Sequence, residues 1–260
     1  MASNPPGPCC CEISFHTGTP VGSISEVYGL NTYVIGKPSE TIIIIATDIF
    51  GYQLKNTQLV ADALHAKTGY QVYIPDLFNG EALRPNPSNR EEIGAWLGKH
   101  SPETTLPPFN KFVSELKKDL TPKFVAGIGY CYGAKLVISN IGEEGPLDIG
   151  CVAHPSFVDV AEIEKVKKPL LISAAQDDPA LTVELRHKTE EILTKNKNIF
   201  QIDLFSNTRH GYAVKGDFSK PLVRYAANKT LADQALWIQT FGPKGSCKQC
   251  SDCKECSCKN

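Results

Sequence analysis

Short runs of β-branched residues alternate with longer helix-like segments through most of this chain. Residues 41–46 include four consecutive isoleucines, a composition typical of a strand that is buried on both faces. Neighbouring parallel strands need long crossover connections, which are usually helices packed on the sheet. The alternation therefore predicts an α/β fold with a mostly parallel central sheet and helices on both of its faces.

The remaining elements follow from the same pattern. We predict further strands at residues 71–75, 123–129, 149–153, 169–174 and 200–205. We predict helices around residues 54–67, 90–99, 108–118, 134–141, 182–195 and 220–241, and a hairpin at residues 22–35.

The chain length and composition suit one domain with an additional segment at each end. A chain of 260 residues, 42% hydrophobic and 21% charged, can bury one sizeable core. We expect this domain at residues 22–242, after a cysteine-containing segment at residues 1–21. Gly242 and Pro243 end the last predicted helix, and the composition then changes to Cys, Lys and Ser. Residues 243–260 are therefore expected to form a flexible, cysteine-rich tail.

The charge balance argues against nucleic acid as a partner. A formal net charge of -1 and a sequence pI near 6.6 leave no basic excess to neutralise phosphates, so a small organic molecule fits better. Residues 1–8 lack the basic and apolar regions of a secretory signal, and no apolar stretch approaches the length of a membrane span. We therefore expect no membrane span and a cytoplasmic location, in which cysteine thiols stay reduced.

A candidate nucleophile lies between a predicted strand and a predicted helix, in the run Gly129-Tyr-Cys131-Tyr-Gly133. This is the Gly-x-nucleophile-x-Gly turn, with cysteine where serine is usual. The glycines let strand and helix pack closely while the thiol projects above the sheet. The N–H groups at the start of the helix favour a thiolate and can donate to an oxyanion. The alternative interpretation is a buried cysteine beside two packing glycines.

An acid and a base follow the nucleophile in the order that this type of site requires. Asp177 and Asp178 come after the strand at residues 169–174, and His210 comes after the strand at 200–205. An imidazole in this position can take the thiol proton, and a carboxylate can orient the imidazole. Taken singly, the histidine could be a surface residue and either aspartate a turn residue or helix cap.

Several motifs resemble those of a known family. They are Asp48-Ile-Phe-Gly51, Ile74-Pro-Asp-Leu-Phe78, the turn around Cys131, His154-Pro-Ser-Phe157, and His210-Gly-Tyr-Ala213 followed by Lys215-Gly-Asp217. With Cys10-Cys11, His16 and Gly18 near the start, they make the chain resemble the dienelactone hydrolases (carboxymethylenebutenolidases), particularly the fungal members. The resemblance covers residues 5–241. It implies an α/β-hydrolase fold. It also implies an enzyme that hydrolyses a small ester or lactone, with no cofactor and no required metal.

The resemblance also implies roles for individual residues. Cys131 would be the nucleophile and His210 the base, with Asp178 as the acid and Asp177 as the alternative. Asp48 would be an auxiliary acidic residue that contacts the thiol; the alternative is a cap or turn residue before Gly51.

By the same resemblance, the N–H groups of Ile49 and Tyr132 would form the oxyanion hole. His154 and Tyr212 are candidate auxiliary or substrate-binding residues and Trp96 is a candidate pocket residue; the alternative is that these aromatic side chains belong to the core.

The arginines that bind the substrate carboxylate in bacterial members have no counterpart, because Asn79-Gly-Glu81 and Val214 stand at those positions. Arg84, Arg209 and Lys215 are nearby cations, but each could equally be solvated. The natural substrate is therefore expected to differ from dienelactone.

The terminal cysteines support a different hypothesis. Cys247, Cys250, Cys253, Cys256 and Cys258 could ligate a soft metal ion such as Zn²⁺ or Cu(I). The alternative function is therefore a thiol-rich metal-binding or redox protein on a hydrolase-like scaffold. A third possibility is an acyltransferase or thioesterase that uses the same three site residues.

Overall fold

The computed structural model describes residues 1–7, 13–85 and 90–243. The strands are β1 (Ser23–Val27), β2 (Leu30–Ile35), β3 (Thr41–Ala46), β4 (Gln71–Pro75), β5 (Phe124–Tyr130), β6 (Ile149–Ala153), β7 (Leu170–Asp177) and β8 (Phe200–Arg209). The helices are α1 (Lys55–Thr68), α2 (Arg90–Lys99), α3 (Pro102–Leu120), α4 (Gly133–Ile138), α5 (Val160–Lys165), α6 (Val183–Lys195), α7 (Tyr212–Lys215) and α8 (Pro221–Phe241).

All the described strands belong to one sheet, in the order β1-β2-β4-β3-β5-β6-β7-β8. The pairs β1–β2 and β2–β4 are antiparallel, and every pair from β4 to β8 is parallel. Every residue of β3, β5 and β6 is buried, as expected for central strands covered on both faces. The predicted α/β-hydrolase fold, with its mostly parallel sheet, is confirmed.

The strand order places a topological switch point between β3 and β5. From β3 the chain continues to β4 on one side, and from β5 it continues to β6 on the other. Connections leave such neighbours in opposite directions, which opens a crevice at the carboxyl ends of the strands. Ala46 at the end of β3 is level with Gly129 in β5, so the residues that follow both strands meet at this crevice.

Helix α3 is longer than the sequence predicts. It begins at Pro102 and continues through Pro107 and Pro108, where a helix start was expected. Each internal proline lacks an N–H and so deprives the carbonyl four residues earlier of its partner. Those carbonyls belong to Glu103 and Thr104, which are exposed, so water can bond to them at little cost.

The first residues of the chain pack against the domain. Ala2 and Ser3 are buried. The His16 ring stacks on Phe218 with 3.7 Å between ring centres, and its Nε2 lies 3.0 Å from the carbonyl oxygen of Gly216. The expected N-terminal segment at residues 1–21 therefore contributes contacts to the fold through Ala2, Ser3 and His16. The expected tail lies outside the described residues from position 244 onward, as do Cys9, Cys10 and Cys11.

Helices cross a bilayer only when they are both long and apolar. In the described ranges, none has both the length and the apolar character needed to cross a membrane.

Candidate active site

Cys131 sits in a sharp turn between β5 and α4. Its φ is 52°, in the left-handed region that a residue with a side chain seldom adopts. The neighbouring glycines permit the turn, because a Cβ on Gly133 would lie 2.0 Å from the carbonyl oxygen of Ala46. A Cβ on Gly129 would lie 2.6 Å from Cα of Ala134. Close packing of β3, β5 and α4 therefore requires glycine on both sides of the thiol.

The loop after β6 covers the thiol. Cys131 is 0% exposed. Its N–H donates to the carbonyl of Ala153 (3.1 Å), and its own carbonyl accepts from the N–H of Ser156 (3.0 Å). The Ser156 Oγ lies 3.5 Å from the Cys131 Sγ. Sequence reasoning assigned no role to Ser156, although the His154-Pro-Ser-Phe157 motif contains it.

His210 directly follows β8 and is paired with Asp178. The His210 Nδ1 lies 2.8 Å from the Asp178 Oδ1, and both side chains are fully buried. The same Oδ1 accepts from the N–H groups of Ala180 (2.8 Å) and Leu181 (3.1 Å). The structure thus brings His210 and Asp178 together in a buried hydrogen-bonded pair.

Asp177, the alternative acid, points to the surface. It is exposed, and its Oδ2 lies 3.1 Å from the Nε of Arg209. Arg209 is itself exposed, so this ion pair is well solvated and contributes little to stability.

The charge state of His210 depends on both neighbours. Burial alone would lower the pKa of His210, but the charge of Cys131 and hydrogen bonds to Asp178 and Cys131 raise this pKa to about 10. Cys131, His210 and Asp178 therefore form one connected cluster. The interactions with Cys131 and Asp178 favour the protonated form of His210.

Asp48 enters the same cluster from the loop after β3. It is buried, and its Oδ1 accepts from the N–H of Phe50 at 3.0 Å. Burial raises the pKa of Asp48 to about 6, against the opposing effect of Lys215 and with a further increase from the charge of Cys131. Its Oδ2 has no hydrogen-bond partner within the described ranges.

Lys215 is a site residue that sequence reasoning left undecided. It is only 4% exposed, and its Nζ lies 5.2 Å from the centre of the Phe50 ring. The other two cations considered near the site, Arg84 and Arg209, are exposed. Lys215 therefore supplies buried positive charge close to Asp48.

The expected oxyanion donors lie on opposite sides of the switch point. Ile49 follows β3, and Tyr132 immediately precedes α4; both are fully buried. In the part of the chain that the structure describes, no protein acceptor takes the N–H of either residue. The Tyr132 hydroxyl donates to the carbonyl of His100 (2.8 Å) and lies 2.7 Å from the Oγ1 of Thr105.

His154 and Tyr212 pack beside His210. The His154 ring centre is 5.1 Å from that of His210 and 5.6 Å from that of Tyr212. Burial lowers the pKa of His154 well below its usual range, with the charges of His210 and Lys215 adding to the effect. His154 is therefore a neutral imidazole. Tyr212 is held by a 2.7 Å hydrogen bond between its hydroxyl and the Oγ1 of Thr230.

An aromatic cluster surrounds the turn that carries the thiol. Phe78 packs on Trp96 and on Tyr132, with ring centres 4.9 Å and 5.4 Å apart. Tyr132 packs in turn on Phe157 at 5.6 Å. Trp96, which the sequence suggested as a pocket residue, belongs to this buried cluster.

A cavity of about 540 Å³ opens beside His210. Arg209, Tyr212 and Lys215 contribute to its wall. This cavity brings solvent-accessible volume up to the buried imidazole, whereas the fully buried Cys131 is not among the described residues that line it.

The described residues hold no evident metal centre. Among them, no group of three or more His, Cys, Asp or Glu side chains could hold a metal ion. The two described cysteines, Cys131 and Cys151, are reduced. The five tail cysteines proposed as metal ligands lie outside the described residues.

Comparison with known proteins assigns the family. The family model described as "Dienelactone hydrolase family" matches residues 30–242. The chain is 35% identical to Hydrolase tropI of Talaromyces stipitatus, over 93% of this chain and 98% of that protein. It is 30% identical to Dienlactone hydrolase 1 of Gibberella moniliformis, over 92% of this chain and 95% of that protein.

Solved structures show the same fold. The crystal structure of a dienelactone hydrolase from Anabaena variabilis superimposes with a TM-score of 0.64 at 13% identity, covering 88% of this chain and all of that chain. The family match, the two fungal relatives and the fold agree with the resemblance seen in the motifs. The chain therefore belongs to the dienelactone hydrolase family and is a carboxylic ester hydrolase.

Proposed function

We propose that this enzyme hydrolyses small esters or lactones through a thioester formed on Cys131, with His210 as acid and base and Asp178 as its orienting carboxylate. One observation carries the proposal: a strained cysteine at the switch point is coupled to a buried His210–Asp178 pair with a 2.8 Å hydrogen bond.

Acylation begins with attack of the Cys131 thiolate on the substrate carbonyl. The tetrahedral intermediate carries negative charge on the former carbonyl oxygen, and the N–H groups of Ile49 and Tyr132 are the proposed donors to it. The C–O bond to the leaving group then breaks. The His210 imidazolium gives its proton to the departing alkoxide, which leaves a thioester and a neutral imidazole.

Deacylation uses the same groups in reverse. The neutral His210 takes a proton from water while the water oxygen attacks the thioester carbonyl. The second tetrahedral intermediate expels the Cys131 thiolate and releases the carboxylic acid. In a lactone the first leaving group stays tethered, so prompt protonation of its alkoxide prevents the ring from closing again.

Asp48 and Ser156 are proposed to control the protonation and the hydrogen bonding of the Cys131 thiol. Burial raises the pKa of the Asp48 carboxyl to about 6, so Asp48 can accept the thiol proton, and the charge of nearby Lys215 favours its release again. The Ser156 hydroxyl, 3.5 Å from the Cys131 Sγ, is placed to donate a hydrogen bond to the thiolate.

Trapping of the acyl-enzyme tests the proposal. After mixing with excess p-nitrophenyl acetate and rapid acid quench, we expect one acetyl group on the peptide that contains Cys131. Neutral hydroxylamine should remove it, because thioesters react with this nucleophile. Mass spectrometry of Cys131→Ala treated in the same way is the control. The proposal would be overturned if the acetyl group that forms during turnover were found on a residue other than Cys131.

Asp178→Asn is expected to lower kcat/KM by about 10²- to 10⁴-fold, because the amide cannot hold the required imidazole tautomer or stabilise the imidazolium. Asp177→Asn is the matched control and should stay within about twofold, since Asp177 forms only an exposed ion pair with Arg209. Steady-state kinetics with p-nitrophenyl acetate measure both. A larger loss in Asp177→Asn than in Asp178→Asn would reverse the assignment.

A further inference from the structure

The beginning of the chain is bonded to the loop that covers the thiol. The N–H groups of Ala2 and Ser3 both donate to the carbonyl of Val158, at 2.7 Å and 2.9 Å. The N–H of Val158 donates back to the Ser3 Oγ at 2.9 Å, and the N–H of Phe157 donates to the carbonyl of Asn4 at 3.0 Å. This loop also carries Ser156, next to the Cys131 sulfur.

Asn4 also bonds to the loop that carries the acid. Its N–H donates to the carbonyl of Ala180 at 2.7 Å, and its Nδ2 donates to the carbonyl of Pro179 at 2.9 Å. Both acceptors lie within two residues of Asp178. The N–H of Ala180 donates in turn to the Asp178 Oδ1, which is the oxygen bonded to His210.

We propose that Ser3 and Asn4 are positioning residues of the reaction, which hold the loop at the nucleophile and the loop of the acid at a fixed separation. The inference rests on the proposed function of Cys131, His210 and Asp178. It also gives residues 2–4 a part in the active site that the pattern of the sequence did not suggest.

The physical reason lies in the backbone conformation of these loops. His154 and Phe157 both have positive φ, at 40° and 64°, so the β6 loop adopts a backbone conformation that external contacts must maintain. The acid loop turns sharply at Asp178, whose Oδ1 accepts three hydrogen bonds including that of the imidazole. A small displacement of either loop changes the alignment on which proton transfer depends.

The expected effect falls on catalysis more than on substrate binding. Asn4→Ala and Ser3→Ala should each lower kcat for an alkyl ester such as ethyl butyrate by about fivefold to tenfold, with KM within about twofold. An alkyl ester is needed because its alkoxide, unlike p-nitrophenolate, requires a proton from His210 in order to leave. Hydrolysis can be followed by titration of the released acid.

The pH profile separates positioning from a general loss of stability. The alkaline limb of kcat/KM reports loss of the His210 proton in the free enzyme. The groups that face His210 are Asp178, Cys131, His154 and Asp48. The charge of Lys215 lowers the pKa values of His154 and Asp48. A loosened Asp178 supports the imidazolium less, so the alkaline limb should move to lower pH in both variants.

Asn196→Ala is the matched control. It removes a similar bond from an asparagine Nδ2 to a backbone carbonyl, that of Glu164, where α6 ends. Its kcat and pH profile should equal those of the wild type. Unchanged kcat and an unmoved alkaline limb in both Asn4→Ala and Ser3→Ala would overturn the inference. If instead the wild-type enzyme forms no acetyl thioester on Cys131, the proposed function itself fails.

Discussion

Cys131→Ala is expected to lower kcat/KM for p-nitrophenyl acetate by about 10⁴-fold or more, leaving little beyond what the oxyanion donors and binding alone provide. Alanine has no atom that can form the thioester, so the two-step route is lost entirely. The fold should be retained, because the smaller side chain can adopt the same turn between β5 and α4. Initial rates at several substrate concentrations provide the measurement.

Cys151→Ala is the matched control for the loss of a buried thiol. Cys151 lies in β6, next to the strand that leads to Cys131, and burial raises the pKa of its thiol, which disfavours reaction. Its removal should cost about 1 kcal/mol of stability and leave kcat/KM within about twofold. Equal activity of Cys131→Ala and the wild type would show that hydrolysis does not use the proposed thiol.

Gly133→Ala is expected to reduce the free energy of unfolding by about 3 kcal/mol or more, or to prevent folding. The added Cβ would lie 2.0 Å from the Ala46 oxygen and 2.7 Å from the Thr47 oxygen. Both contacts are with backbone, so neither can be relieved by a change of side-chain rotamer. To fit the methyl group, α4 would have to move away from β3, which would also displace Tyr132.

Gly98→Ala provides the comparison in the same measurement. Gly98 is in α2, and a Cβ there would meet no atom within 4 Å. Alanine should therefore stabilise the protein by up to about 1 kcal/mol, because glycine is the poorer helix former. Urea denaturation followed by circular dichroism gives both values. Equal stability of Gly133→Ala and the wild type would contradict the close packing described at the turn.

The central strands could be predicted because their sequence alone reflects their surroundings. In β3, four isoleucines in succession suit only a strand with apolar neighbours on both faces, and the structure buries them all. The turn at Cys131 was similarly readable, since only glycine fits at positions 129 and 133. These features depend on residues that lie close together in the sequence.

The ends of β7 and β8 depend on contacts that the sequence does not reveal. Both strands extend beyond their apolar runs, and Asp177 pairs with Arg209 across them after an irregularity that begins at Ala175. A shift of one residue exchanges the two faces of a strand, so the irregularity determines which aspartate turns inward. The pattern of the sequence alone therefore could not separate Asp177 from Asp178, and the choice of Asp178 rested on the family resemblance.

The sequence could not assign two further site residues, for a similar reason. Ser156 lies near the thiol because the β6 loop folds back over the turn, with its N–H bonded to the Cys131 carbonyl. Lys215 is buried because α7 packs it against Phe50. Lysine and serine are usually exposed, so composition and spacing assigned no role to either residue, although both lie in motifs that resemble those of the family.

Tyr132 links the turn that carries Cys131 to the junction between α2 and α3. Its backbone N–H is a proposed donor to the oxyanion, while its hydroxyl bonds to His100 and Thr105, where α2 ends and α3 begins. Insertions or deletions at that junction would therefore shift the reaction centre. The connection between β4 and α2 is tied to the same region, because Phe78 packs on Tyr132 and the N–H of Leu83 donates to the carbonyl of Ile49 at 2.9 Å. Laboratory diversification of this enzyme should accordingly keep the α2–α3 junction and these two contacts fixed.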